Sequence, residues 1–157
     1  MSFRISGLPV SPFAPLFALD NEALIARGMR RCRAPMEGVR MPCRVTLRFT
    51  PEGESAILLP YTHQDALTPF HASGPIFVRE TARETFDGID ILPQAVGEVS
   101  LLSLRGYDDE HMIVDATVGP GTEAETLIER LLSRDDVAYI HAHFAPRGCY
   151  LARIDRA

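Results

Sequence analysis

Polar and apolar positions alternate most cleanly in the segment Tyr139–Phe144. Successive residues of a strand point to opposite faces, so Tyr139, His141 and His143 are expected on one side and Ile140, Ala142 and Phe144 on the other. Ala145-Pro146-Arg147-Gly148 then turns the chain back towards Cys149 and Tyr150. Other alternating or apolar runs predict strands over 3–8 (an edge), 29–33, 43–49, 55–61, 75–80, 99–107 and 112–118. Pro51-Glu52-Gly53 predicts a hairpin joining 43–49 to 55–61, and Asp108-Asp109-Glu110 one joining 99–107 to 112–118. Between 62 and 74 no apolar period survives, and Pro69 and Gly74 mark a long loop that carries His63 and His71. Residues 81–98 are ambiguous, with room for a short helix.

Two helices have start signals. Asp20 reads as the N-cap of a helix over 21–27 that Gly28 ends. Thr122-Glu123-Ala124-Glu125 matches a capping box, and Leu127, Ile128, Leu131 and Leu132 follow at helical spacing. Strands precede and follow this second helix, so those two are expected to run parallel. The expected fold is α+β: a single domain over 1–157 with a mixed, mostly antiparallel sheet of six to eight strands. Two or three helices lie on one face, and a β-α-β-β unit forms the C-terminal part.

With 46% hydrophobic and 24% charged residues, the chain has the composition of a globular protein. No apolar run reaches the ~18 residues of a membrane helix, and the first residues lack the apolar stretch of a secretory signal, so a cytoplasmic protein is expected. All 16 basic residues are arginine, which removes lysine-dependent chemistry: Schiff bases, the Walker phosphate loop and the protein-kinase signatures. The net charge of -5 is uneven, since residues 1–48 carry eight arginines against Asp20, Glu22 and Glu37. An acidic chain without a basic stripe is not expected to bind nucleic acid.

Candidate chemistry gathers around the 139–150 hairpin. An H-x-H step on a strand turns two imidazoles to one side, so His141 and His143 are candidate ligands of a divalent metal. The third ligand has to come through the fold, from His63, His71, His111, Asp115, Cys43 or Cys149. No other cofactor is expected. Cys149 or Cys43 with His143 forms a candidate catalytic pair, and the hairpin register decides its fate. A three-residue loop puts the Cys149 thiol on the histidine face; a four-residue loop puts Tyr150 beside His143 instead. Cys32, Cys43 and Cys149 lack paired zinc-finger spacing.

Gly119-Pro120-Gly121-Thr122-Glu123-Ala124 fits a dinucleotide fingerprint formally, but Glu123 and Glu125 would face the pyrophosphate, and a turn with a capping box explains the same residues. No G-x-S-x-G elbow is present. Arginines inside predicted strands suggest an anionic partner. The leading expectation is therefore a binding protein for a small anionic molecule held over His141 and His143. Arg44, Arg79 or Arg105 would neutralise that ligand, and Tyr61, His63 or Tyr107 would orient it. A Cys/His or metal-dependent enzyme of hydrolytic or redox type, and a non-catalytic interaction module that forms a homo-oligomer, are the alternatives.

Several stretches carry a family likeness: Pro42-Cys43-Arg44-Val45, Ser73-Gly74-Pro75-Ile76-Phe77-Val78-Arg79-Glu80, Leu104-Arg105-Gly106-Tyr107-Asp108, Val114-Asp115-Ala116, Tyr139-Ile140-His141-Ala142-His143 and Gly148-Cys149-Tyr150. Through them the chain resembles the bacterial domain-of-unknown-function family 1203. The resemblance spans most of the chain and implies no activity or catalytic residue. Relatives are expected to carry an asparagine where this chain has Phe144.

Overall fold

A computed structural model describes all of residues 1–157. The strands are β1 (Phe3–Ser6), β2 (Arg30–Arg33), β3 (Ser55–Gln64), β4 (Ala72–Arg79), β5 (Asp87–Ile89), β6 (Leu102–Tyr107), β7 (Ile113–Gly119), β8 (Tyr139–Phe144) and β9 (Tyr150–Arg156). The helices are α1 (Asn21–Ala26), α2 (Gln94–Gly97) and α3 (Ala124–Leu132). The fold is α+β. Six strands form one sheet in the order β5-β1-β9-β8-β6-β7, and β2-β3-β4 form a second. Neighbouring strands are antiparallel throughout.

The larger sheet has two unlike faces. Leu102 and Leu104 of β6, Ile140 and Ala142 of β8, and Ala152 and Ile154 of β9 pack with Ala124, Ile128, Leu131 and Leu132 of α3 into one buried core. Period-2 strands and a 3.6-period helix agree here on which side is apolar, as a stable layer pair requires. Because Gly119 has no side chain, Leu127 can close on the end of β7, where an added Cβ would sit 2.6 Å from its Cδ1. The strands flanking α3, β7 and β8, run in the same direction as expected, but β6 lies between them and pairs with both.

Several local expectations change. Residues 43–49 form no strand and no hairpin with β3. Arg44 to Thr46 turn, the Leu47 amide closes on the Cys43 carbonyl at 2.9 Å, and Leu47 takes a left-handed φ of 50°. Val45 and Leu47 look strand-like because both are buried, yet each enters a different core. This connector ties the two sheets together: its Arg44 amide donates to the Phe77 carbonyl of β4 at 3.0 Å, and its carbonyls accept from Leu8 (2.7 Å), Phe86 (2.8 Å) and Ala95 (2.9 Å). Strand β3 continues to Gln64, so His63 lies on a strand and the loop shrinks to the residues before β4. β1 is interior, and β5 forms the edge beside it. The capping box does not form either, since α3 starts at Ala124 behind a 3-10 turn over Gly121–Glu123 and without a side-chain cap. Asp20 does cap α1, accepting from the Ala23 amide at 2.8 Å. No helix is long and apolar enough to cross a membrane.

The contact between β1 and the connector leaves no room for a methyl group. A Cβ at Gly7 would lie 2.2 Å from the Val45 carbonyl oxygen and 2.9 Å from that of Arg44, both backbone atoms. Gly7→Ala is therefore expected to destabilise the protein by about 1–3 kcal/mol. Urea unfolding measures this, and an unchanged midpoint would show that the connector can move aside.

Candidate functional site

The second face of the large sheet is polar and yet buried. Residues of β8 alternate as designed by the pleat, but all from Tyr139 to His143 are withdrawn from solvent, with His141 4% and His143 0% exposed. The register places Ser103, Arg105 and Tyr107 of β6 opposite His143, His141 and Tyr139, and Arg153 and Tyr150 of β9 opposite His141 and His143. Directly paired residues share a face. One side of the sheet therefore carries three histidine-neighbouring aromatics, two arginines and a serine.

The end of β3 covers this face. Ile57 and Leu59 point into the second core, with Leu24 of α1, Val45, Ile76, Val78 and Tyr150. The β3–β4 pairing then slips between Thr62 and Gln64, leaving His63 unpaired in a bulge. A bulge bends its strand and re-aims a side chain. Here His63 stacks on Tyr150 at 5.4 Å and stands edge-on to His143 at 4.9 Å, with His141 6.1 Å away. Gln64 turns to the same sheet and donates to the Tyr139 hydroxyl at 2.9 Å, which also meets His111 Nδ1 at 2.7 Å.

Three imidazoles thus converge, with one ligating nitrogen each of His63, His141 and His143 within 4.8 Å of the others. Nδ1 of His63, Nδ1 of His141 and Nε2 of His143 are buried and have no hydrogen-bond partner. His143 Nδ1 lies 2.9 Å from the Gly148 carbonyl. A carbonyl only accepts, so this nitrogen carries the proton and Nε2 keeps its lone pair. Gly148, at a left-handed φ of 77° in the turn, sets the orientation of that ring.

The site keeps its imidazoles neutral. Burial first, then the neighbouring His143 and His63, push the His141 pKa down to about 3. Burial likewise holds His143 at about 3 against the opposing Gly148 bond, with Arg105 adding to the depression. His63 is lowered by burial and by Arg105. Beside them burial drives the Tyr150 hydroxyl well above its ordinary value.

The other sequence candidates are placed as follows. Of the proposed third ligands, only His63 reaches the pair. His71 is exposed, His111 serves Tyr139, and Asp115 lies between Arg130 (3.6 Å) and Arg134 (3.9 Å). The hairpin adopts the longer register: the Phe144 amide meets the Cys149 carbonyl at 2.8 Å and Tyr150 sits opposite His143. Cys149 is partly buried, its sulfur nearest the Arg147 carbonyl at 4.0 Å. Cys43 is fully buried and its sulfur accepts from the Arg79 amide at 3.4 Å.

Arg79 is engaged by Glu54 at 2.7 Å on the smaller sheet. Arg44 is buried without a carboxylate; it donates to the carbonyls of Tyr150 (2.7 Å) and Pro42 (2.5 Å), and burial lowers its pKa to about 10. It fixes the backbone beside His143 and holds the connector there. Tyr61 sits 6.3 Å from Tyr150, and Tyr107 stacks on Tyr139 at 5.1 Å and lies 4.9 Å from His141. Two clefts of about 350 and 380 Å³ share Thr46, Arg48 and Phe86 and contain none of the histidines. Tyr150 is the site residue the sequence underweighted, and the hairpin register was its only signal.

Neutral burial has a pH consequence. Above pH 6.5 His141 and His143 are uncharged both folded and unfolded, so they add no pH dependence there. Below it the unfolded chain binds protons that the native state refuses until about pH 3, so stability falls as pH falls through that window. Each histidine contributes a slope of up to about 1.4 kcal/mol per pH unit. In metal-free protein, His141→Gln is expected to make the fall between pH 6 and 4 shallower by about that amount per unit. An unchanged slope in urea unfolding would mean that the native site protonates freely.

No curated protein and no solved structure matches the chain. A family model matches residues 40–156, which include every histidine of the cluster as well as Arg44, Arg105 and Tyr150. The chain belongs to the family described as "Protein of unknown function (DUF1203)".

Proposed function

We propose that the protein binds one divalent transition-metal ion, best suited to zinc, through His63, His141 and His143, and uses it for hydrolytic chemistry. Two observations carry this reading: His63, His141 and His143 can each bring one ring nitrogen within 4.8 Å of the others, and each has a buried ring nitrogen without a hydrogen-bond partner. Leaving such a group unpaired costs about 1–3 kcal/mol. Coordination would relieve all three at once.

The donor set suits the ion. Imidazole is a good ligand for zinc, copper, iron and nickel, and three protein ligands with a fourth position open is the pattern of catalytic rather than structural zinc. Zn–N bonds of ~2.0–2.1 Å in a tetrahedron put nitrogens about 3.4 Å apart, so the trio needs to contract by about 1.4 Å at most, within reach of side-chain rotation. His143 already has the orienting bond from its other nitrogen to a backbone carbonyl that metal-binding histidines characteristically make. The depressed pKa values mean that protons do not compete for these nitrogens near neutrality. In the fourth position a bound water would be acidified into a nucleophile.

Calorimetric titration of chelator-treated protein with zinc tests the reading. One site per chain is expected, with stabilisation of about 2.7 kcal/mol when free zinc exceeds the dissociation constant a hundredfold. His63→Ala and His141→Ala should each abolish that site. Binding that survives both substitutions, or no binding by the wild type, would refute the assignment.

A further inference from the structure

Two arginines beside the histidines lack a counter-ion: Arg44 gives its donors to the carbonyls of Tyr150 and Pro42, whereas Arg105 is left without an ionic partner on the polar sheet face. It is partly buried on β6, directly opposite His141 of β8, so the two side chains leave the same face of the sheet. It takes part in no ion pair. Comparable strand arginines have carboxylates: Arg31 meets Glu80 at 2.7 Å, Arg79 meets Glu54 at 2.7 Å and Arg153 meets Asp155 at 2.8 Å. A half-buried guanidinium ordinarily has an anionic partner, and the chain supplies none here.

We infer that Arg105 holds a small oxyanion against the metal bound by His63, His141 and His143, with one oxygen on the ion and a second in the guanidinium fork. The inference rests on the metal reading and adds the class of ligand. Three neutral ligands leave the full charge of the ion, so an anion between it and Arg105 neutralises both. Arg105 and His141 are directly paired on adjacent strands, so a group that touches both the guanidinium and an ion at the histidines has to be small. Ser103, partly buried opposite His143, brings a hydroxyl to the same face. Arg105 is thus a ligand-binding residue and not a metal ligand.

The experiment uses full-length protein loaded with cobalt(II), whose visible absorption reports its coordination. Acetate and inorganic phosphate are titrated at constant ionic strength into the wild type, Arg105→Met and Arg105→Lys. The wild type should show a saturable spectral change with at least one of the two anions, and the tighter one tells carboxylate from phosphate. Arg105→Met should weaken that binding by about ten- to a hundredfold while cobalt binding is retained with no loss of affinity. Arg105→Lys keeps the charge but not the fork, so it should fall between them, and it carries the comparison alone if the methionine variant does not fold. Equal anion affinity in wild type and variant, or no anion response by cobalt-loaded wild type, overturns the inference and leaves the metal centre standing. Failure of the wild type to bind cobalt removes the metal reading and this one with it.

Discussion

Three imidazole nitrogens without partners are withdrawn from water where the two sheets meet, and the rest of the molecule is organised around that withdrawal. At about 1–3 kcal/mol for each unpaired buried group, the cluster costs a sizeable part of the roughly 5–15 kcal/mol by which a domain is stable. Apolar residues of the same volume on the face of β8 would pack more favourably. Buried Arg44 next to it differs in kind: it lacks a carboxylate, but carbonyls of Pro42 and Tyr150 accept from it. Three of the four buried side-chain polar atoms without a partner therefore belong to this one cluster, the fourth being the Thr46 hydroxyl on the connector.

The convergence depends on backbone irregularities rather than on regular elements. Strand β8 can present His141 and His143 side by side, but no continuation of the same sheet brings a third imidazole to them. The bulge at His63 does so by letting the end of β3 lean over β8, and the Gly148 turn aims the His143 ring from behind. Tyr150 links the two: its backbone belongs to the large sheet, while its ring packs in the smaller sheet's core and stacks on His63. Arg44 grips the Tyr150 carbonyl, so the connector that separates the two cores also steadies the ring between them.

Regular parts of this arrangement were legible in the chain, and irregular parts were not. The alternation of β8, the β6–β7 hairpin and the apolar stripe of α3 follow from periods that only one structure satisfies. Residues 43–49 mislead because burial, not strand geometry, makes Val45 and Leu47 apolar, and a connector between two cores has the same composition as a strand. His63 was hidden for a related reason. The run from Ser55 loses its apolar period after Tyr61, because there the strand stops facing a greasy core and begins to face the polar side of β8. The hairpin register at Cys149 rests on one residue of loop length, which composition does not encode. Arg105 stood out as a charge inside a strand, but its pairing with His141 is a fact of register.

The charge of the site follows from these placements. Carboxylate-rich metal sites neutralise their ion with the protein's own side chains and leave little attraction for an anion. Here the three clustered imidazoles are neutral, and Arg105 and Arg153 flank His141 on the neighbouring strands. Of the two, Arg153 is neutralised by Asp155 and lies over the Tyr139 ring at 4.0 Å, while Arg105 has no such partner. The uncompensated charge beside His141 is thus on the β6 side, at Arg105, which like Ser103 is only partly buried. Beyond Arg105 on the same strand, Tyr107 stacks on Tyr139 and closes that end of the face. An ion held as proposed by neutral imidazoles beside an unpaired guanidinium would leave its charge to be balanced by an anion rather than by the protein's own side chains.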